Sequence, residues 1–89
     1  MLFSSLLVAC EPSHNVIIKN ETKTDLVIFV GQTRIAELRP GEQVIRQFSA
    51  PVPKWLITAK DQYGKIIYSR EWTPNDLGAS NWKVVITSS

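Results

Sequence analysis

The chain has 89 residues, of which 44% are hydrophobic and 20% charged, and its formal net charge is +2. A chain of this length forms one domain, with a single core that is only just large enough to hold it folded. One cysteine excludes an internal disulfide, and interspersed charges without a lysine or arginine run argue against binding to nucleic acid.

The first ten residues form an apolar leader that ends at the only cysteine. Residues 2–9 carry no charged side chain and are too few to span a bilayer, which needs about 20 apolar residues. Their length is that of the hydrophobic region of a signal peptide, although no lysine or arginine precedes them. The segment Leu7-Val8-Ala9-Cys10 resembles the lipobox of bacterial lipoproteins. That resemblance implies cleavage before Cys10, lipid on its sulfur and amino group, and a place in the bacterial cell envelope, facing the periplasm or the exterior.

The resemblance divides the chain into a leader over residues 1–9, a lipidated cysteine and tether over residues 10–14, and a folded domain over residues 15–89. Each buried methylene of a lipid contributes about 0.8 kcal/mol, and stable anchoring takes more than one chain. Lipids on Cys10 would therefore hold the domain to a membrane without a spanning helix. The alternative is that residues 1–9 form a frayed end or an extra strand, with Cys10 a free, buried thiol.

Seven short runs have the composition of β-strands. Leu26–Val30 is continuously apolar, which is typical of a strand in the middle of a sheet. Gly31-Gln32 and Pro40-Gly41 are turn signals, because glycine adopts the positive φ that such turns need. Prolines at 51 and 53 cannot pair regularly, so residues 49–53 are predicted to cross between two sheets. The predicted strands are residues 15–19, 26–30, 33–38, 42–48, 55–60, 65–72 and 82–87.

The second half of the chain also contains two clear local signals. Asp61–Gly64 lies between the fifth and sixth strands and predicts a four-residue hairpin turn with glycine at its end. Thr73-Pro74 offers an N-cap residue followed by proline at the first helical position, so we predict one helical turn that ends at Gly78.

Seven strands at regular spacing, with turn residues between them, predict an all-β fold: a seven-stranded antiparallel sandwich of two sheets. The layout resembles the immunoglobulin-like and transthyretin-like sandwiches of bacterial envelope proteins, although the cysteine pair of antibody domains is absent. A small barrel such as the oligonucleotide-binding fold is the alternative, but it normally has five strands and a helix. The predicted core residues lie at period two in the most apolar runs: Leu26, Ile28, Val30, Trp55, Ile57, Val84 and Ile86.

Residues able to catalyse a reaction or bind a metal are few. The only histidine, His14, lies in the predicted tether, where a base is not held within reach of a nucleophile. One histidine and one cysteine provide no zinc ligand set, and no glycine-rich phosphate loop occurs. Carboxylates are numerous, but so small a domain lacks the bulk for a closed cleft. We therefore predict that the protein is not an enzyme and has no cofactor and no metal. Asn20-Glu21-Thr22 matches a glycosylation triplet, which we interpret as a polar turn.

The three tryptophans are the most informative residues for binding. Trp55 and Trp82 each open a strand and share its face with aliphatic residues, which favours core positions over a stacking platform for a glycan or a partner protein. Trp72 ends the sixth strand beside the irregular segment 73–81. The sequence around it is consistent with either a buried or a partly exposed side chain.

This segment is the candidate contact site, since loops on a rigid scaffold often carry recognition. It combines apolar anchors with polar groups, as expected of a small contact site. The candidate contact residues are Trp72, Asn75, Asp76, Leu77 and Asn81. The alternative is that Leu77 folds back over the open end of the sandwich and Trp72 packs beneath it.

Two functional classes remain open. The first is a non-catalytic, lipid-anchored binding or interaction module of the bacterial envelope, which contacts a protein or glycan through a sheet edge or the segment 73–81. The second is a structural or accessory component of an envelope assembly, with no ligand of its own. An exposed aromatic patch around Trp72 and Tyr63 favours recognition, and a uniformly polar surface favours the accessory role.

Overall fold

The computed structural model describes residues 13–49 and 53–87, which form seven strands and one helix. The predicted leader and Cys10 lie outside these residues. All seven predicted strands are present, within two residues of their predicted limits. None of the described residues form a helix long and apolar enough to cross a membrane. The elements are β1 (Ser13–Asn20), β2 (Leu26–Val30), β3 (Thr33–Leu38), β4 (Gln43–Ser49), β5 (Trp55–Lys60), β6 (Ile66–Trp72), α1 (Pro74–Ala79) and β7 (Lys83–Ile86).

The strands form two sheets, one with the order β4-β1-β7 and the other with the order β3-β2-β5-β6. Both sheets and α1 contribute to one cluster of buried side chains, which confirms the predicted all-β fold with two sheets. β2 lies inside the four-stranded sheet, as its continuous apolar run predicts. Of the predicted core residues only Val30 and Trp55 are half-buried, and the rest are buried. The core consists of Val16, Ile18, Leu26, Ile28, Leu38, Phe48, Ile57, Ala59, Trp72, Leu77, Val84 and Ile86.

One pairing corrects the prediction of a purely antiparallel sandwich. β1 is antiparallel to β4 but parallel to β7. The chain leaves the four-stranded sheet at Trp72, and after α1 it enters the other sheet in the same direction as β1. Parallel neighbours require a long crossover connection, and here the connection includes all the strands between β1 and β7.

β1 begins two residues earlier than the predicted domain boundary. His14 is therefore a strand residue, paired in register with Phe48 of β4, and not part of a tether. The described chain thus enters the sandwich directly at Ser13.

The predicted turns are present. Gly41 has a φ of +84° at the second central position of a turn that is closed by the Glu42 amide, which donates to the Arg39 carbonyl at 3.0 Å. This is the geometry that Pro40-Gly41 predicts. At the β5–β6 hairpin, the Asp61 carboxylate accepts hydrogen bonds from two backbone amides of its own turn, both at 2.9 Å. β4 and β5 lie in different sheets, so the predicted crossing after Ser49 is also confirmed, although residues 50–52 lie outside the description.

A buried amide organises the turn after β1. Asn20 is fully buried, and its Nδ2 donates to the carbonyls of Thr24 at 2.8 Å and Leu38 at 3.0 Å. Its Oδ1 accepts from the amide of Thr22 at 2.8 Å and from the hydroxyl of the same residue at 2.6 Å. An amide can be buried at little cost only when its donors and acceptors are all used, as here. The triplet that begins at Asn20 is therefore a structural polar turn, as predicted.

Candidate functional site

One end of the sandwich contains all three tryptophans. β1 and β5 begin at this end, while β4 and β6 finish there, as the pairs Ser13 with Ser49 and Trp55 with Trp72 show. The rings of Phe48 and Trp55, one from each sheet, have centroids 5.2 Å apart. We call this region the aromatic end, defined by His14, Phe48, Trp55, Trp72 and Trp82.

Helix α1 begins at the aromatic end with a reciprocal cap. The Asp76 amide donates to the Thr73 hydroxyl, and the Thr73 amide donates to the Asp76 carboxylate, both at 3.1 Å. Pro74, whose missing N–H would be unpaired there anyway, occupies the start of the helix. The Thr73 backbone amide, and after it the Thr73 side chain, stabilise the Asp76 carboxylate and lower its pKa below the ordinary value. The predicted cap is confirmed, but the helix continues past Gly78 to Ala79.

The end of α1 positions Trp82. The Trp82 amide donates to the Leu77 carbonyl at 2.7 Å, and the Asn81 amide donates to the Gly78 carbonyl at 3.1 Å. This pair of bonds is a Schellman motif, which requires a left-handed residue just beyond the helix. Asn81 fills that position with a φ of +59°, and asparagine is the best residue there after glycine.

Trp82 itself also has a φ of +59°, a conformation that is rare for a bulky residue. Three contacts hold it there. Its amide is bound to the helix end, its carbonyl accepts a hydrogen bond from the Ile17 amide at 2.9 Å, and its indole lies flat on the His14 imidazole. The ring centroids are 3.8 Å apart and the planes differ by 7°. Such unfavourable backbone conformations persist only where surrounding contacts enforce them, and they concentrate at functional sites.

Only some side chains of the predicted contact site are exposed to solvent. Trp72 is 6% exposed and Leu77 is fully buried, so neither side chain is presented as an apolar anchor. The structure corresponds to the alternative in which Leu77 closes the core beside Trp72. The reason is that the open end of the sandwich must be filled, and burying one large apolar side chain contributes about 1.5–3 kcal/mol. The polar members Asn75 and Asn81 are exposed.

The indole N–H of Trp72 has a hydrogen-bond partner, and a cation lies over its ring. Its Nε1 donates to the Tyr68 hydroxyl at 2.9 Å, and the Arg70 guanidinium lies 3.8 Å from the ring centroid. Burial raises the pKa of the Tyr68 hydroxyl above its ordinary value. Tyr63, which is 85% exposed, lies in the turn at the opposite end of β6. The two residues therefore do not form the aromatic patch that would favour recognition.

A groove of about 370 Å³ opens beside the aromatic end, between the edge strands β3 and β4. Its apolar wall comes from Val30, Ile35, Phe48 and Trp55. Arg46 crosses from one edge to the other, since its guanidinium donates to the Ile35 carbonyl at 2.9 and 3.2 Å. The two sheets are thereby linked at this side of the sandwich.

The opposite end of the molecule is polar. Asp25, Glu37, Glu42 and Arg39 line a shallow cleft of about 590 Å³. The Glu42 carboxylate accepts from the Arg39 amide at 2.8 Å, so it serves the turn. Within residues 13–49 and 53–87 there is no group of three or more histidine, cysteine or acidic residues placed to hold a metal ion.

A scan against protein-family models matches no family, and searches of curated proteins and of solved structures find no match. The candidate site therefore depends on its geometry alone. The sequence does not predict the stack of His14 on Trp82, because the pattern places His14 in a tether and Trp82 in a regular strand far along the chain. The available signal was Asn81, since asparagine just after a short helix favours the left-handed conformation.

Proposed function

We propose that the protein is a lipid-anchored, non-catalytic interaction module of the bacterial cell envelope, facing the periplasm or the exterior. The observation that carries this proposal is the segment Leu7-Val8-Ala9-Cys10, which ends three residues before β1 begins at Ser13. A lipid on Cys10 would join the membrane to a folded domain through a very short link.

Of the two sandwich types predicted, the strand grouping supports the transthyretin-like type. A constant-type immunoglobulin domain places its first, second, fourth and fifth strands in one sheet. Here β1 shares a sheet with β4 and β7, while β2 and β5 lie in the other.

A non-catalytic role is supported by how the candidate catalytic groups are used. His14, the only histidine, is stacked on Trp82, and Asp76 caps α1. Asp61 and Glu42 accept hydrogen bonds from backbone amides of their own turns. These groups perform structural tasks.

An interaction role is supported by apolar side chains on the outer face of the four-stranded sheet. Leu56 is 40% exposed and Ile66 is 57% exposed, and both line a shallow depression with Phe29. Exposed apolar groups that lie together on one face favour contact with another protein. The accessory alternative is favoured by the burial of Trp72 and Leu77, which removes the apolar anchors from segment 73–81.

The anchor is tested by fractionating cells that express the wild-type protein or Cys10→Ser. We expect the wild type in the membrane fraction, with an intact mass that corresponds to a chain starting at a triacylated Cys10. The variant should lose the lipid mass and leave the membrane. Ser13→Ala is a matched control that should stay membrane-bound. An unmodified wild-type chain that still starts at Met1 and remains soluble would contradict the proposal.

The choice between interaction and accessory roles is tested by a photo-crosslinking residue placed at position 66 in living cells. A discrete adduct is expected there and not with the same residue at position 23, an exposed site in the turn after β1. If neither position gives an adduct, the accessory role is the better account.

A further inference from the structure

The direction of β1 brings the aromatic end close to the proposed anchor. Three peptide steps separate Cys10 from Ser13, so their Cα atoms are at most about 11 Å apart even in a fully extended chain. Ser13 lies at the aromatic end, and the eight residues of β1 lead about 25 Å away from it. A lipid on Cys10 therefore restrains the aromatic end to the vicinity of the bilayer and leaves the opposite end far from it.

The charges of the described residues are distributed unequally between the two ends. In the half remote from the aromatic end, five cationic residues are balanced by five acidic residues. The other half has five cationic residues and two acidic ones, if Lys83, which is level with Ile17 at mid-length of β1, is counted with it. Glu71 is paired with Lys54 at 3.2 Å, and Arg34 is paired with Glu37 of the remote half at 3.7 Å. An excess of positive charge complements the anionic headgroups of a bacterial membrane. The residues of this half are Arg34, Arg46, Lys54, Arg70 and Lys83, with Glu71 and Asp76.

The aromatic side chains at this end also suit a lipid interface. Trp82 and Trp55 are half-buried and pack against the edge of the core. Tryptophan prefers the headgroup region, because its large apolar ring and its single donor suit a boundary between lipid and water. The stack on His14 and the two backbone bonds hold Trp82 in place at the rim of the domain.

From these three observations we infer that the aromatic end docks on the bilayer surface, with Trp82 in the headgroup region and Lys83 beside it. The inference depends on the lipid anchor proposed above. The occupant of this surface is the membrane itself, and the anchor and the docked end act together to orient the domain with the Tyr63 turn pointing away from the bilayer.

The test uses the full-length lipidated protein in vesicles of phosphatidylethanolamine and phosphatidylglycerol, with a fraction of the lipids brominated near the headgroup. One variant keeps Trp82 as its only tryptophan, through Trp55→Phe and Trp72→Phe. The matched control carries Tyr63→Trp and has all three native tryptophans replaced by phenylalanine. We expect bromolipid to quench Trp82 at least about twofold more strongly than the reporter at position 63, as a headgroup position predicts.

A second measurement uses the unmutated chain, so the test does not depend on the variants folding. Amine-reactive labelling followed by mass spectrometry should show Lys83 protected in vesicles relative to detergent, and Lys65, in the turn remote from the anchor, unchanged. Equal quenching of the two reporters in protein that floats with the vesicles would overturn docking and leave the anchor intact. Failure of the protein to float would overturn the anchor itself. Protection of Lys83 without quenching of Trp82 would show that a protein or a second copy covers this end, and would also overturn docking.

Discussion

The imidazole of His14 and the indole of Trp82 are stacked nearly parallel, with ring centroids 3.8 Å apart. One ring belongs to the second residue of β1, and the other to the residue just before β7. The stack therefore joins the end of α1 to the first strand, outside the region where β1 and β7 pair through their backbones.

Loss of this stack should destabilise the domain. We expect His14→Ala to lower the free energy of unfolding by about 0.5–1.5 kcal/mol, the usual value of an aromatic pair beyond its buried area. A double-mutant cycle with Trp82→Ala in urea unfolding measures the coupling directly. His14→Phe is the control, since it retains a flat ring. Single effects that add to within about 0.3 kcal/mol would show that the stack has no energetic role.

Replacing Asn81, whose backbone is left-handed, with glycine should stabilise the domain. Asn81→Gly keeps the Schellman bonds and removes the steric cost of a φ of +59°. We expect a gain of about 0.5–1 kcal/mol, or several degrees in Tm for a domain of this size. The matched control is Asn75→Gly, an exposed position inside α1, where glycine should lower stability by a few tenths of a kcal/mol. A fall in Tm for Asn81→Gly would contradict this account.

The buried amide of Asn20 should be among the least replaceable polar groups. Asn20→Ala removes the side-chain donor to the Leu38 carbonyl and the acceptor of the Thr22 amide, and each buried unpaired group costs about 1–3 kcal/mol. We expect a loss of at least about 2 kcal/mol in chemical denaturation. Asn20→Asp should also be destabilising, because it points a carboxylate oxygen at a carbonyl. Thr24→Ala, which removes only an exposed side chain, should change stability by less than about 0.5 kcal/mol.

Truncating the core residue Ile57 and truncating Leu77, which closes the sandwich, should lower stability by similar amounts. Ile57 and Leu77 are both fully buried, so Ile57→Ala and Leu77→Ala should each cost about 2–5 kcal/mol. Ile45, which is 54% exposed, provides the comparison, and Ile45→Ala should stay within about 0.5 kcal/mol of wild type. Thermal unfolding followed by circular dichroism measures all three. An unchanged Tm in Leu77→Ala would mean that this residue does not close the sandwich.

The cap of α1 should be sensitive to acid. Because the pKa of Asp76 is lowered in the folded state by bonds from Thr73, its contribution to stability is present above the unfolded-state pKa of about 3.9. The contribution is lost as the pH falls through the lower folded-state pKa. The difference in stability between wild type and Asp76→Asn should therefore be constant near neutral pH and shrink in acid. A difference that grows on acidification would contradict this sign.

Much of the local structure follows from neighbouring residues alone. The apolar run of β2, the Pro40-Gly41 turn and the Thr73-Pro74 helix start each carry their signal within a few positions, and each forms as predicted. Alternation in β7 also predicts correctly that Val84 and Ile86 are buried. These features depend on backbone geometry and on the two faces of a strand, which a short stretch of sequence determines.

Other features depended on residues that are far apart in the chain. The sequence of β1 does not specify that one neighbour is antiparallel and the other parallel, because pairing direction depends on where the chain re-enters the sheet. The sequence also leaves the exposure of Trp72 undetermined, since its place in the core depends on Tyr68, Arg70 and the closing position of Leu77. The stack of His14 on Trp82 forms only because the first and the last parts of the described chain lie together at the aromatic end. Periodicity along a segment determines which side chains share a face, whereas tertiary packing decides which of those faces is covered and by what.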